Sequence, residues 1–364
     1  ATVAQTITGS GKVDTLYGST KADTIDAGAG NDIIHASTGA DTIDGGAGTD
    51  TLHTTGMVAA TIEGTGTGTS TGVVINMGTT DVTLATIFGA TGDYLGAGDT
   101  VVSAGQMQYV FNAESSLNSG AVNTVSNIEN ITLAANGTNY VVGSSAANTI
   151  VGGTGIDAIT GGEGADTITG GVGADIITLT ETVAVVDTVV ITSGLTTDAI
   201  TGFALGASGD KISIDLSAVE AANANIAATM MDFVELADAS AVAASDTIVI
   251  QEVADQATGA AVAAGAGANI FVLLTETYAN VAAMVDGIET VDHELTTHAT
   301  VAVDDGFMVV WSDGTDAILS MVNMDSGGTD DIAAGELAGV DVANLGANVA
   351  LTAGEFHIDN FAFI

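Results

Sequence analysis

Gly152-Gly153-Thr154-Gly155-Ile156-Asp157-Ala158-Ile159-Thr160-Gly161-Gly162-Glu163-Gly164-Ala165-Asp166-Thr167-Ile168-Thr169-Gly170-Gly171-Val172-Gly173-Ala174-Asp175-Ile176-Ile177-Thr178 holds consecutive copies of G-G-x-G-x-D-x-U-x, with U aliphatic. Just upstream, Asn148 takes the acidic position and Ile150 the aliphatic one, so the array runs from Gly143 to Ile177. A second array spans Gly9 to Leu52, where Asp14, Asp23, Asp32, Asp41 and Asp50 recur every nine residues. Each is followed two positions later by Leu16, Ile25, Ile34, Ile43 or Leu52. Its glycines are patchier: only Gly45-Gly46-Ala47-Gly48-Thr49-Asp50 is complete, and Gly18-Ser19-Thr20-Lys21-Ala22-Asp23 is diluted.

A fixed nine-residue period with one aliphatic per repeat describes a parallel coil of short strands and tight glycine turns, with two nonapeptides per flattened turn. Residues 18 apart then stack: Asp14, Asp32 and Asp50 along one edge, Asp23 and Asp41 along the other. In the second array the expected stacked pairs are Asp157 with Asp175 and Asn148 with Asp166. Strand spacing brings successive carboxylates to roughly 5 Å, where they repel. A calcium ion between turns reverses that sign, taking carboxylate and backbone carbonyl oxygens. The glycines Gly45, Gly46, Gly48, Gly152, Gly153, Gly155, Gly161, Gly162, Gly164, Gly170, Gly171 and Gly173 are expected to supply positive φ and a close approach of carbonyls to the metal. Asn139 and Asn148 bring an amide oxygen without charge, so sites at the entry of the second array are expected to be weaker or empty.

The chain therefore reads as mainly β, with β-roll or β-helix segments and a β-rich C-terminal domain containing some helix. Residues 1–53 form the first array and 139–178 the second. Between them, 54–138 lose the period but keep strand-like runs such as Val73–Met77 and Val82–Phe88, read as a β-rich insert or a continuation of the coil's core rather than a separate binding domain. In 179–364, strands are expected at Gly209–Leu216, Thr247–Ile250 and Ile270–Leu274, and a helix over the alanine-rich Ser217–Phe233. Tyr278, Val281, Val285 and Ile288 have helical spacing. Phe307–Trp311 and Ala317–Val322 flank Ser312-Asp313-Gly314-Thr315-Asp316, a hairpin signal.

Composition excludes several function classes. The net charge of -42 arises from a near absence of bases, since Lys12, Lys21 and Lys211 are the only cations besides histidine. Phosphate recognition needs clustered Lys and Arg, so no nucleic-acid partner is expected, and an anionic membrane surface is unfavourable for the same reason. The 364 residues are 46% hydrophobic, enough to bury a core in two or three domains. There is no cysteine, hence no disulfide or thiol chemistry, and no apolar run long enough for a membrane span.

No catalytic constellation stands out, and no enzymatic activity is expected. His293-Glu294-Leu295-Thr296-Thr297-His298 spaces its histidines five apart, about 140° around a helix, whereas zinc-protease histidines sit at i and i+4. Asp325 to Glu336 has the length of an EF-hand loop, with acids at its first and last positions. Threonine and Asp330 stand where the pattern wants a ligand and a glycine, so an acidic turn is the plainer reading; Asp325, Asp331 and Glu336 are kept as secondary calcium candidates.

On these nonapeptides the sequence resembles the RTX (repeats-in-toxin) superfamily, whose members are exported by type I secretion and fold outside the cell, where calcium is high. The resemblance implies calcium as cofactor, an extracellular or cell-surface location, and an uncleaved C-terminal signal of an acid followed by apolar residues; Asp359–Ile364 looks like one. The richness in Thr, Ala and Gly also resembles RTX-type surface-layer proteins. The expected function is a secreted, non-enzymatic calcium-binding protein that self-assembles as a surface layer, filament or matrix, with itself and cell-surface polysaccharide as expected partners. The alternatives are a calcium-folding and secretion module of a larger enzyme, toxin or adhesin, and a carbohydrate-binding adhesin.

Overall fold

The computed structural model describes residues 3–54, 70–83, 101–111, 116–117, 122–133, 137–192, 196–215, 232–235, 240–241, 248–253, 262–263, 269–289, 295–296, 305–324, 337–346, 351 and 356–364. The chain divides into two compact units, residues 1–184 and 185–364.

In the first unit each nonapeptide yields a three-residue strand: β1 (Thr6–Thr8), β2 (Thr15–Tyr17), β3 (Thr24–Asp26), β4 (Ile33–His35), β5 (Thr42–Asp44) and β6 (Thr51–His53). Alternation along so short a strand turns one side chain inward and its two neighbours outward. The inward residue is the repeat's aliphatic: Ile25, Ile34, Ile43 and Leu52 are fully buried. Successive strands alternate between two parallel sheets, so that Ile7 registers with Ile25 and Leu16 with Ile34. Residues 18 apart stack, as the period predicts.

The segment between the arrays supplies β7 (Ser70–Asn76), β8 (Val82–Thr83), β9 (Val101–Val102), β10 (Gln106–Phe111), β11 (Ser116–Leu117), β12 (Asn123–Ser126) and β13 (Asn130–Thr132). β12 lies parallel on β5, and β13 lies parallel on β6. Residues 123–133 thus build one more coil turn without the glycine motif. The second array adds β14 (Tyr140–Val142), β15 (Thr149–Val151), β16 (Ala158–Thr160), β17 (Thr167–Thr169) and β18 (Ile176–Thr178).

One sheet then runs β2-β4-β6-β13-β15-β17, every neighbour parallel. The other runs β1-β3-β5-β12-β10-β7-β14-β16-β18, where β10 is antiparallel to both β12 and β7. The arrays are therefore halves of one solenoid, and two extra strands are spliced into one of its faces only. Val82 and Val102, from the short β8–β9 ribbon, pack with Val74, Tyr140 and Ala158.

The second unit contains β19 (Thr188–Ile191), β20 (Asp198–Thr201), β21 (Lys211–Ile214), β22 (Asp232–Glu235), β23 (Ser240–Ala241), β24 (Ile250–Val253), β25 (Val262–Ala263), β26 (Ile270–Thr277), α1 (Val281–Glu289), β27 (Leu295–Thr296), β28 (Asp305–Ser312), β29 (Ala317–Met324), β30 (Leu337–Asn344) and β31 (Phe361–Phe363). The expected hairpin is β28–β29, with Asp313 Oδ1 accepting the Thr315 and Asp316 amides in its turn. The expected helix is α1, whose Met284 and Ile288 pack into a core with Phe271, Phe307 and Trp311. The strand expected at Thr247–Ile250 begins instead at Ile250, where Asn269 Oδ1 takes the Val249 amide and sets the ladder's start. Residues 217–231 of the expected alanine-rich helix lie outside the described residues; its last residue, Phe233, is in β22. The signal-like tail folds as a 3₁₀ turn and β31, parallel to β21, with Phe361 and Phe363 buried.

Candidate metal centre

Each turn aspartate sits where the glycine turn meets the next strand, and its side chain points into the stack rather than to solvent. Asp32, Asp50, Asp157 and Asp175 are fully buried, and Asp23, Asp41, Asn148 and Asp166 are nearly so. Asp14 is half-exposed at the start of its column.

One hydrogen bond repeats through the solenoid: the backbone N–H at an acidic position donates to the Oδ1 of the acid one coil turn later. It joins Asp14 to Asp32 (2.8 Å), Asp32 to Asp50 (2.7 Å) and Asp23 to Asp41 (2.8 Å). In the second array it joins Asn139 to Asp157 (2.9 Å), Asn148 to Asp166 (2.7 Å) and Asp157 to Asp175 (2.8 Å). The second carboxylate oxygen is often held by its own turn, as Ser10 and Gly153 amides donate to Asp14 and Asp157 Oδ2. Expected stacked pairs are thus brought together as drawn from the period.

Non-repeat residues of the first unit complete its columns, and the second unit has a like bond of its own. Asp41 N–H donates to Asn123 Oδ1 (2.8 Å) and Asp50 N–H to Glu129 Oε2 (2.8 Å). In the second unit Asp187 N–H donates to Asp210 Oδ1 (3.0 Å). None of these lies on the nine-residue period, but each opens a tripeptide of acid or amide, any residue, aliphatic: Asn123-Thr124-Val125, Glu129-Asn130-Ile131, Asp187-Thr188-Val189 and Asp210-Lys211-Ile212. That signal was present in the sequence, without the glycines that make it conspicuous.

The glycines divide by cause. Gly46, Gly48, Gly162, Gly164 and Gly171 have positive φ. Gly152 has none, but a Cβ there would lie 1.9 Å from Gly170 O of the next turn; Gly45, Gly155, Gly161, Gly170 and Gly173 are similarly crowded, by backbone or by a turn carboxylate. The Gly153 amide holds Asp157, and its carbonyl accepts from Val172 N–H. Positive φ, expected for the whole set, thus belongs to part of it, and close turn-to-turn stacking explains most of the others.

Burial of this negative charge shows in the acid strengths. Burial pushes the Asp41 and Asp157 carboxyls above the usual range. Asp50 is raised by burial and then by the charges of Asp32, Glu129 and Asp44. Asp175 is raised to about 6, again chiefly by burial. Asp14 goes the other way, lowered by its Ser10 hydrogen bonds. Buried Asp32 Oδ2 and Asp50 Oδ2 accept no hydrogen bond, which leaves them free to ligate. Among the described residues no three His, Asp or Glu side chains converge on one point. An all-side-chain cage is therefore absent there, and the donors that fit are hard oxygens, one or two carboxylates with turn carbonyls, which suit calcium. The secondary candidates Asp325, Asp331 and Glu336 lie outside the described residues.

The family model of the RTX calcium-binding nonapeptide repeat matches residues 8–43, 28–56 and 142–177. The two arrays are RTX calcium-binding repeats. Calcium is accordingly the cofactor of these repeats, and the matched spans are the halves of the solenoid on either side of β7–β13. No curated protein matches the chain closely enough to count as a relative. Among the described residues no helix is long and apolar enough to cross a membrane.

Proposed function

We propose that this RTX protein is a secreted, non-enzymatic structural protein whose solenoid folds on binding extracellular calcium and which then self-assembles at or outside the cell surface. The observation that carries the reading is the column of buried carboxylates, each bonded to the turn before it and including Asp32 and Asp50 oxygens with no donor. Burying like charges without a cation is costly, so the coil and the metal form together. Extracellular calcium modules bind with Kd on the order of 10⁻⁴ to 10⁻³ M, so such sites would stay empty at cytosolic calcium. Export of the unfolded chain by type I secretion follows from that difference. A surface almost without lysine leaves few of the usual blocks on edge pairing, which favours assembly with further copies and leaves cell-surface polysaccharide as the anchoring partner.

Electron microscopy of the chain in millimolar calcium and then in excess chelator, with circular dichroism on the same samples, tests this. Filaments or sheets that disperse as β signal is lost are the expected result. A calcium-driven gain of β structure in particles that stay monomeric would move the reading to a folding and secretion module of a larger protein. Absence of any calcium response would overturn both.

A further inference from the structure

The solenoid's two sheets contain unequal numbers of strands, and the mismatch has a geometric consequence. On one face β13 and β15 are direct neighbours, with Ile131 in register with Ile150. On the other face the corresponding strands β12 and β14 are separated by β10 and β7. At about 4.8 Å per strand, the turns leading from one face to the other must fan apart. The turn at Ser126–Glu129 and the turn at Gly143–Asn148 meet at the β13–β15 end and diverge toward the other. The gap is a cavity of about 220 Å³ lined by Met77, Val125, Ser126, Asn127, Ile128, Glu129 and Ser144.

The lining is rich in acceptors. Ser126 Oγ already donates to Ile43 O (3.2 Å), and Asn127 Nδ2 to Asp44 Oδ1 (2.7 Å). Ser144 Oγ donates toward Asn148 Oδ1 (3.2 Å), and one N–H of Asn148 Nδ2 goes to Glu129 O (2.7 Å). Glu129 Oε2 accepts the Asp50 amide, which leaves Oε1. Ser144 Oγ also accepts the Ala146 amide (3.1 Å) and the Asn127 amide keeps one N–H, so the lone pairs still available are those of Glu129 Oε1, Asn127 Oδ1 and Ser126 Oγ, with a remaining one on Ser144 Oγ. Asp50 feels the charges of both Glu129 and Asp44, so the seam is electronegative as well.

We propose that this wedge is a seat for a hydrated divalent cation, distinct from the nonapeptide sites. Acceptors and negative potential select a cation, and all-oxygen chemistry selects a hard one. A cavity of about 220 Å³ has room for an ion together with several waters. An ion that keeps most of its water, and is held through one carboxylate plus outer contacts, fits it; that is the habit of Mg²⁺, whereas calcium sheds water for six to eight oxygens. Occupancy ties the coil turn made by residues 123–133 to the second array.

The test uses the full chain, folded in calcium, with its methionine methyl groups ¹³C-labelled and Mn²⁺ as a paramagnetic stand-in for Mg²⁺. Met77 is the methionine in the cavity wall. Its methyl signal, assigned with Met77→Leu, is expected to broaden first at substoichiometric Mn²⁺ and to recover on adding Mg²⁺. Glu129→Gln retains an oxygen for the Asp50 amide and is expected to raise the Mn²⁺ needed at least tenfold. Asn127→Gly, at a φ of 51° that glycine adopts without strain, is expected to weaken the effect without loss of β signal. Thr15→Ala, exposed on β2 at the far end of the first array, is expected to leave it unchanged. Uniform broadening of all methyls, or broadening that survives Glu129→Gln, would overturn the proposal. So would displacement by ethylammonium, which marks an amine seat, or by the calcium already present, which marks an ordinary calcium site. A spectrum that never disperses on adding calcium would instead indict the calcium-folding reading.

Discussion

A single nonapeptide position decides between core and metal edge. Ile159, which follows Asp157 by two, is inward and fully buried, and its neighbours in register are Val141 and Ile177. Ile159→Ala should cost about 2–5 kcal/mol, read as a lowered denaturant midpoint of the calcium-loaded chain. The carboxylates titrate in the opposite sense to most protein acids. Asp41, Asp50, Asp157 and Asp175 all have folded pKa values raised above that of a free chain. Their neutral forms favour the fold, so that stabilisation is full below about pH 4 and is lost as pH rises through about 6 for Asp175. Without calcium, the solenoid's melting temperature should therefore rise as pH is lowered from 7 to 5. With calcium bound the dependence should reverse, because protons then compete with the metal. Thermal scans at a series of pH values, with and without chelator, check both signs.

At the scale of an element, the start of β12 and the turn that precedes β13 show how a degenerate repeat is made to fit. Asn123 and Glu129 supply the acceptors that aspartates supply elsewhere. Asn123→Ala would leave the buried Asp41 amide without its partner, a loss of about 1–3 kcal/mol, measurable as earlier unfolding of β5 in amide exchange. Asn123→Asp keeps the bond and adds a buried charge, so it should weaken the calcium-free fold and steepen the calcium dependence of folding. Gly152→Ala, whose Cβ would meet the next turn's carbonyl, should reduce calcium-induced β signal more than substitution at Gly11, which has open space around it. The helix α1 and the hairpin β28–β29 were legible from periodicity and turn chemistry because each is a local pattern. The splice of β10 and β7 was not, since antiparallel pairing of 70–76 with 106–111 is a long-range choice between strands of similar propensity.

For the whole molecule, the two units should respond differently to metal. The second unit's core of Phe271, Phe307, Trp311 and Met284 rests on apolar burial, with Trp311 Nε1 bonded to Ser320 Oγ inside it. The first unit's coil rests on narrow rows of single aliphatics and on stacked acids. Chelation should therefore release amide protection across β1–β6 and β14–β18, while amides of Phe307–Trp311 and Ala317–Val322 stay protected. Loss of both together would show that the second unit also depends on calcium.

The nine-residue period by itself determined the strands, their inward aliphatics, the 18-residue register and the calcium chemistry, because in a solenoid each of these is a local rule repeated. Tertiary structure alone decided that the two arrays are one coil, that Asn123 and Glu129 stand in for aspartates, and that one face carries two more strands than the other. Those outcomes depend on which distant segments pair, a choice set by the competing ways of completing a sheet edge rather than by any window of sequence.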